Sequence, residues 1–229
     1  MPASRARQRR PKPPSRVTKR PTPPRGGRTR ERQKEAVRQR IVDAALALFQ
    51  SKGFDETTTR QIARKAKLAE GTIFNYFETK EDIALHFFEL ELDHAIATVR
   101  GNARLRRAPL DEKLFALVEA QLEFLAPYER FIGAAFVHAL RPTSRIAFSM
   151  RALDLRNRYI AFVQELLQES ERIPTGGVLA WAAPSVFWIY YLGILLYWLN
   201  DASKGKQHTL ALLDRSLRIG VAVLEKRSL

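Results

Sequence analysis

A chain of 229 residues is long enough for one large or two small domains with a real core. It contains no cysteine, which excludes disulfides, thiol catalysis and cysteine-based zinc sites, and its four histidines, His86, His94, His138 and His208, lack close ligand spacing, so neither a metal site nor a cofactor is expected. The net charge of +15 is unevenly placed: residues 1–30 hold eleven Arg or Lys and no acid, +11 of the total, so the basicity belongs to the tail and says little about the folded part.

That tail, Met1 to Arg30, mixes Pro, Arg and Ser with Val17 as its only large aliphatic residue after the initiator. It cannot bury enough apolar surface to offset ordering entropy and is expected to be disordered, as part of a basic Pro/Arg-rich segment 1–33. It lacks the apolar stretch of a secretory signal, so a cytoplasmic protein is expected. Three readings of it stay open: a basic arm in which each neutralised phosphate steepens the salt dependence by about 0.9, an inert solvated tail, or a start codon assigned too far upstream.

A first helix is expected from Glu31 to Lys52, with Val37, Ile41, Ala44, Ala45, Leu48 and Phe49 as its apolar stripe. Gly53 is placed as its left-handed stop, with Phe54 packing back. The next stretch, TTRQIARKAKLAEGTIFNYFETK from Thr58 to Lys80, reads as two short helices and a tight turn. Ile62, Ala63 and Ala66 have helical spacing, and Thr58 with Gln61 has the arrangement of a capping box. Ala69, Glu70 and Gly71 break the phase, after which Ile73 and Phe77 form a new apolar pair in a helix from Glu70 to Phe77. Thr72, Phe74, Asn75 and Tyr76 then point outward.

The run GTIFNYF followed by Lys80-Glu81, preceded by TTTRQIA and by a helix ending at Gly53-Phe54, resembles the DNA-binding domain of TetR-type bacterial transcriptional regulators, from about Lys34 to His94. The resemblance implies an all-α chain: a helix-turn-helix domain over 34–94, then a larger helical ligand-binding and dimerisation domain over 95–229. It gives Thr58, Thr59, Arg60, Glu70, Gly71, Thr72, Phe74, Asn75, Tyr76 and Lys80 to DNA, and the chemistry of each allows it. Thr59 and Thr72 carry short hydroxyls suited to phosphate oxygens, Gly71 lets the backbone come close, and Lys80 supplies a charge at the DNA backbone. Phe74 stands where the family usually has tyrosine, so a phenolic bond to phosphate is lost and apolar contact, as to a thymine methyl, is left. Sequence reading falls to Arg60 on guanine, Asn75 on adenine and Glu70 on cytosine. Arg60 and Glu70 also read as ordinary solvated charges.

Thr79 is placed to cap a fourth helix, Lys80 to Val99, whose two apolar stripes call for two packing partners. Helices are expected after Pro109 and Pro127, and a long one from Thr143 or Ser144 to about Arg172, with Ile146, Met150, Leu153, Ile160 and Leu167 as its stripe. Val178 to Leu199 has no charge in twenty-two residues. Its length admits a membrane span, but Pro184, Ser185 and three tyrosines favour a helix buried on both sides. With a final helix from Gln207 to Lys226 it is expected to meet a symmetry mate as a four-helix bundle, through Trp188, Leu192, Leu195, Leu199, Leu213, Leu217 and Val221. Phe131, Phe136, Trp181 and Tyr190, with His138 as polar handle, are candidates for an effector pocket and equally readable as core.

No phosphate loop, nucleophile turn or carboxylate pair appears, so an enzyme is not expected. The expected function is a cytoplasmic, nucleoid-associated homodimeric regulator, in the main a repressor, bound to a palindromic operator and released by a small apolar or aromatic ligand. A nonspecific architectural DNA-binding protein driven by the tail, and a protein anchored in a membrane by 178–199, stand as alternatives.

Overall fold

The computed structural model describes residues 25–139, 141, 144–170 and 178–226. Residues 1–36 and 37–229 form two units. In the first unit the described residues, 25–36, are helical, and those from Thr29 on are exposed. Helix α1 runs Arg25–Ser51, so Arg25 to Arg30, expected in a disordered tail, are helical instead, and residues 1–24 of that tail lie outside the described residues. The helix ends as its sequence dictates: Lys52 and Gly53 donate to the carbonyls of Leu48 and Phe49 at 2.8 and 3.0 Å, and Gly53 adopts φ +103°, where a side chain would be strained.

Three helices follow as α2 (Thr59–Lys65), α3 (Glu70–Phe74) and α4 (Lys80–Gly101). Ile41, Val42, Ala45 and Phe49 of α1 are buried together with Ile62, Ala63, Ile73 and Phe77, so the short α2 and α3 owe their stability to burial, since isolated helices of this length do not persist in water. Thr79 caps α4 through a capping box with Asp82.

The rest of the chain folds as α5 (Leu110–Leu125), α6 (Glu129–Ala139), α7 (Arg145–Phe148), α8 (Met150–Gln168), α9 (Val178–Asn200) and α10 (Gln207–Lys226), and no strand occurs among the described residues. α4 packs on α5 and α8, α8 on α9, and α10 on α5 and α9. The long helix expected from Ser144 to Arg172 is two helices. Ser144 Oγ accepts from the Ala147 amide and Ser149 Oγ from the Ala152 amide, so each serine starts its own helix. The break shifts the phase: Met150 and Leu153 are exposed, and the buried face is Tyr159, Phe162, Val163, Leu166 and Leu167.

Phe49, Phe54, Phe87 and Phe131 form one aromatic cluster, with ring centroids 4.9 Å apart for Phe49–Phe54 and Phe49–Phe131 and 5.8 Å for Phe87–Phe131. Each is almost fully buried, and each such side chain contributes roughly 1.5–3 kcal/mol. The cluster joins α1 to α4 and α6, which sets the position of the helix-turn-helix on the larger body.

Candidate nucleic-acid interface

Helix α2 is held by local chemistry at both ends. Gln61 donates its amide to Thr58 Oγ1 and accepts from the Thr58 amide through Oε1, both at 3.3 Å, which is the capping box the sequence predicts. At the other end the Leu68 amide donates to Ala63 O at 2.9 Å and the Lys67 amide to Arg64 O at 3.2 Å, with Lys67 itself at φ 54°. That is a Schellman turn with lysine where glycine is usual. Arg40 of α1 donates to Ala66 O at 2.5 Å and fastens the turn to the helix behind it.

From this base Ile73 and Phe77 point inward, and the outer surface carries exposed Thr58, Arg60, Glu70, Gly71, Phe74 and Asn75, with Thr59, Thr72 and Tyr76 half-buried. The expected helix to Phe77 is shorter than predicted: α3 stops at Phe74 and Asn75 is its C-cap. Phe74 leaves 52% of its surface open, large for a phenyl ring, and a side chain on Gly71 would meet no protein atom within 4 Å. The space beside α3 therefore faces outward. Arg60 Nε lies 3.7 Å from Glu70 Oε2, so two of the expected base readers pair with each other across the turn, both well exposed. Beside α2, Arg40, Lys65 and Lys67, with Asp43 among them, line a shallow cleft of about 350 Å³.

Lys80, expected at the DNA backbone, is bonded within the protein. Its ammonium donates to the carbonyls of Phe54, Asp55 and Thr57 at 2.8, 3.0 and 3.2 Å and stands over the Phe54 ring. All three donors of the ammonium meet carbonyls of the protein, so the side chain holds the loop after α1. Nothing in local sequence shows this, because the carbonyls lie 23 to 26 residues away.

His138 also moves. It was expected as the polar handle of a pocket, yet its Nδ1 lies 3.4 Å from Asp55, whose other oxygen takes Arg141 at 3.3 Å, so both residues tie the end of α6 to the loop after α1. Of the remaining pocket candidates, Phe131 is core, Phe136 is half-buried, and Trp181 is 82% exposed. Tyr190 reaches α10, its hydroxyl 2.7 Å from Ser216 Oγ. They do not gather around one site.

The stripe expected at the dimer contact is largely covered within the protomer. Leu195, Leu213, Leu217 and Val221 are buried within the protomer, and Trp188, Leu192 and Leu199 are half-buried beside them. The apolar residues that α9 and α10 leave exposed are Val178, Trp181, Val186, Ile189, Leu196, Tyr197, Leu212, Ile219 and Val223. α9 is apolar all round, so its periodicity carried no phase, and the clean stripe of α10 is the one its own protomer consumes.

Two family models account for most of this layout: bacterial regulatory proteins of the tetR family over residues 41–87, and the tetracyclin repressor-like C-terminal domain over 113–229, more than half the chain. The chain belongs to the TetR family. It is a DNA-binding transcriptional regulator with a repressor-like C-terminal domain. It is similar to the fatty acid metabolism regulator protein of Bacillus subtilis, 25% identical over 147 residues, 64% of this chain and 71% of that one. The transcriptional regulator HbdR of an Aromatoleum species is 47% identical over 49 residues, 21% of each chain. Among solved structures, Thermus thermophilus FadR, a TetR-family transcriptional repressor in complex with lauroyl-CoA, is 26% identical with a TM-score of 0.58, covering 79% of this chain and 92% of that one. In TetR-family terms the surface built by Arg60, Glu70, Gly71, Phe74 and Asn75 lies on the helix-turn-helix.

Proposed function

We propose that this TetR-family protein works in the cytoplasm as a homodimer on a palindromic operator, where α3 of each protomer enters a major groove, and that a mainly apolar effector releases it. The observation that carries the reading is the exposed apolar stripe on α9 and α10. A helix as apolar as α9 needs burial on both sides, and one protomer covers only the side bearing Phe187, Tyr191, Ile194, Leu195 and Trp198. A second copy, related by a two-fold axis, covers the other side with the same residues. Although the segment Trp181–Asn200 is long and apolar enough by length and composition to cross a bilayer, its inner face is already committed to α8 and α10.

Two recognition helices so related must lie about 34–36 Å apart to read successive major grooves. Asn75, exposed at the end of α3 and with no role in the core, is the base reader of choice, and Arg60 and Glu70 exchange their mutual pair for base edges. The bound acyl thioester of the Thermus relative supports an effector with a long apolar body. An effector that favours a different spacing of the heads releases DNA by no more than its differential affinity for the two states.

A footprint on DNA around the coding region, or selection from random DNA where that gives none, tests the reading with wild type and Asn75→Ala. A protected pseudo-palindrome lost in Asn75→Ala is expected. Protection without two-fold symmetry, or unaffected by the substitution, would overturn it.

A further inference from the structure

Three ion pairs join α4 to α8 among the described residues: Arg151 with Glu89, Arg158 with Asp93 and Arg100 with Glu165. They differ in enclosure. The side chains of Arg151 and Glu89 are 28% and 19% exposed, those of Arg100 and Glu165 59% and 44%. They differ also in what lies beneath them. Arg100 stands over Phe162 of α8 itself, 5.2 Å from the ring centre, whereas Arg151 reaches the Phe77 ring of the helix-turn-helix at 5.9 Å. His86 of α4, bonded to the Glu89 carboxylate, meets the same ring at 5.5 Å, and the Arg38 guanidinium of α1 lies 5.7 Å from it. Side chains of α1, α4 and α8 thus converge on Phe77, which is 2% exposed.

Phe77 matters because α3 is short. Five residues, Glu70–Phe74, form too little helix to keep a direction of their own, so the direction follows the side chains that this segment buries. Those anchors are Ile73 and Phe77. The Tyr76 and Phe77 amides both donate to Ile73 O at 2.9 Å, which ties the two anchors to one another. Arg151 takes both oxygens of Glu89, and an arginine that grips a carboxylate at two points fixes the plane of its guanidinium. An aromatic ring beside that cation is attracted to it. The seat of Phe77 is therefore shaped by a side chain of α8.

We propose that Arg151 is a positioning residue for operator binding: gripping Glu89 and seating Phe77, it fixes the direction of α3 on the body and so the spacing of the two heads. This rests on the two-fold reading above and assigns the residue that keeps its spacing narrow. One base pair more or less between half-sites shifts a head by about 3.4 Å and turns it by about 35°. A fixed head rejects that change. A loose head follows it, and binds the matched site less tightly.

The test uses the full chain, an operator selected from random DNA, and the same operator with one base pair added to or removed from its centre. Wild type is expected to lose at least about thirtyfold in affinity when the spacing changes. Arg151→Met is expected to bind the selected operator about three- to tenfold more weakly and to lose less than about fivefold on changed spacing, with an unaltered salt slope. Arg151→Lys keeps the charge without the two-point grip and is expected to fall between, which serves if Arg151→Met does not fold. Arg100→Met and Lys113→Met break pairs of the body that do not touch Phe77, and both are expected to keep wild-type spacing selectivity. A second readout needs no DNA. Exchange of the Tyr76 and Phe77 amides, taken relative to the Val118 amide of the body core, is expected to quicken at least about threefold in Arg151→Met and not in the two controls. Wild-type spacing selectivity in both Arg151 variants, or equal loosening by the controls, would overturn the proposal. So would a salt slope lower by about 0.9, which makes Arg151 a direct phosphate contact. If selection yields no two-fold operator, the two-fold reading fails, and the exchange ratio alone then decides for or against Arg151.

Discussion

Arg151 closes its guanidinium on both oxygens of Glu89, Nε 2.6 Å from Oε1 and a terminal nitrogen 2.6 Å from Oε2, and so bolts α8 to α4. His86 adds Nδ1 at 2.8 Å from the same carboxylate, and the Phe77 ring, at the end of the helix-turn-helix, packs against both His86 and Arg151. Asp55, held by His138 and Arg141, and the Gln50 carbonyl, which accepts from Arg130, are further polar ties between head and body.

Burial alone would raise the Glu89 carboxyl, but the hydrogen bonds from His86 and Arg151 and the charge of Arg151 outweigh it and hold it at about 2. A carboxyl depressed on folding adds stability above its unfolded value near 4.5, and that stability is lost as pH falls from there toward 2. Arg151→Ala is expected to destabilise the protein by about 1–3 kcal/mol at pH 7, less than for a fully buried pair because both partners keep some solvent contact. Its acid-side loss between pH 4.5 and 2 is expected to be shallower than that of wild type. Urea unfolding across that range checks both, and an unchanged acid limb would show that Glu89 is not the group responsible.

Lys80 separates a structural from a DNA-facing role. Lys80→Met removes three hydrogen bonds to backbone carbonyls and is expected to cost about 2–3 kcal/mol of stability. Operator binding is expected to keep its salt dependence, because no phosphate contact is lost. A fall of about 0.9 in the slope of log affinity against log salt would place the ammonium on the DNA after all.

Glu91 bends the stability curve the other way. Its carboxyl, near 4.5 when unfolded and about 8 when folded, contributes stability that is full below 4.5 and declines as pH rises toward 8. The slope is about 1.4 kcal/mol per pH unit at most over that window. The groups facing it are Gln121, Tyr191 and Tyr159, none of which titrates there, since both phenols lie above their ordinary range. Glu91→Gln is expected to flatten the alkaline decline between pH 5 and 8. Thermal unfolding as a function of pH decides it, and a decline that persists in the variant would remove Glu91 as its source.

What the sequence showed well was chemistry closed within one turn. The Thr58–Gln61 box, the Thr79 cap, the Gly53 stop and the bounds of α10 all follow from residues three or four apart. What it hid was set by partners far along the chain. Lys80 looked like a phosphate ligand until the carbonyls of Phe54 to Thr57 were placed beside it, and His138 looked like a pocket residue until Asp55 was. Ser149 could have been read as a helix start from its own position, yet the apolar residues on both sides of it suggested one continuous stripe. Glu91 and Gln121 drew no notice because a single polar residue in an amphipathic helix ordinarily points to water.

The exposed stripe of α9 and α10 yields the prediction that bears most directly on function. Ile189 is 68% exposed in the protomer and Ile219 59%, so Ile189→Glu and Ile219→Glu leave the protomer core intact and are expected to change its intrinsic stability by no more than about 0.5 kcal/mol. Placed at a two-fold contact, each brings two buried carboxylates together and is expected to yield monomers at micromolar concentration in sedimentation analysis. Operator affinity is expected to fall with dimerisation, since a single α3 reads only half a palindrome. Leu213→Ala is the contrast: Leu213 is fully buried in its own protomer, so its loss is expected to cost about 2–5 kcal/mol while the oligomeric state of the folded fraction is unchanged. Ile189→Glu that sediments as wild type would move the interface off this stripe. A dimer lost in Leu213→Ala but kept in Ile189→Glu would return it to the face that α10 here spends on its own core.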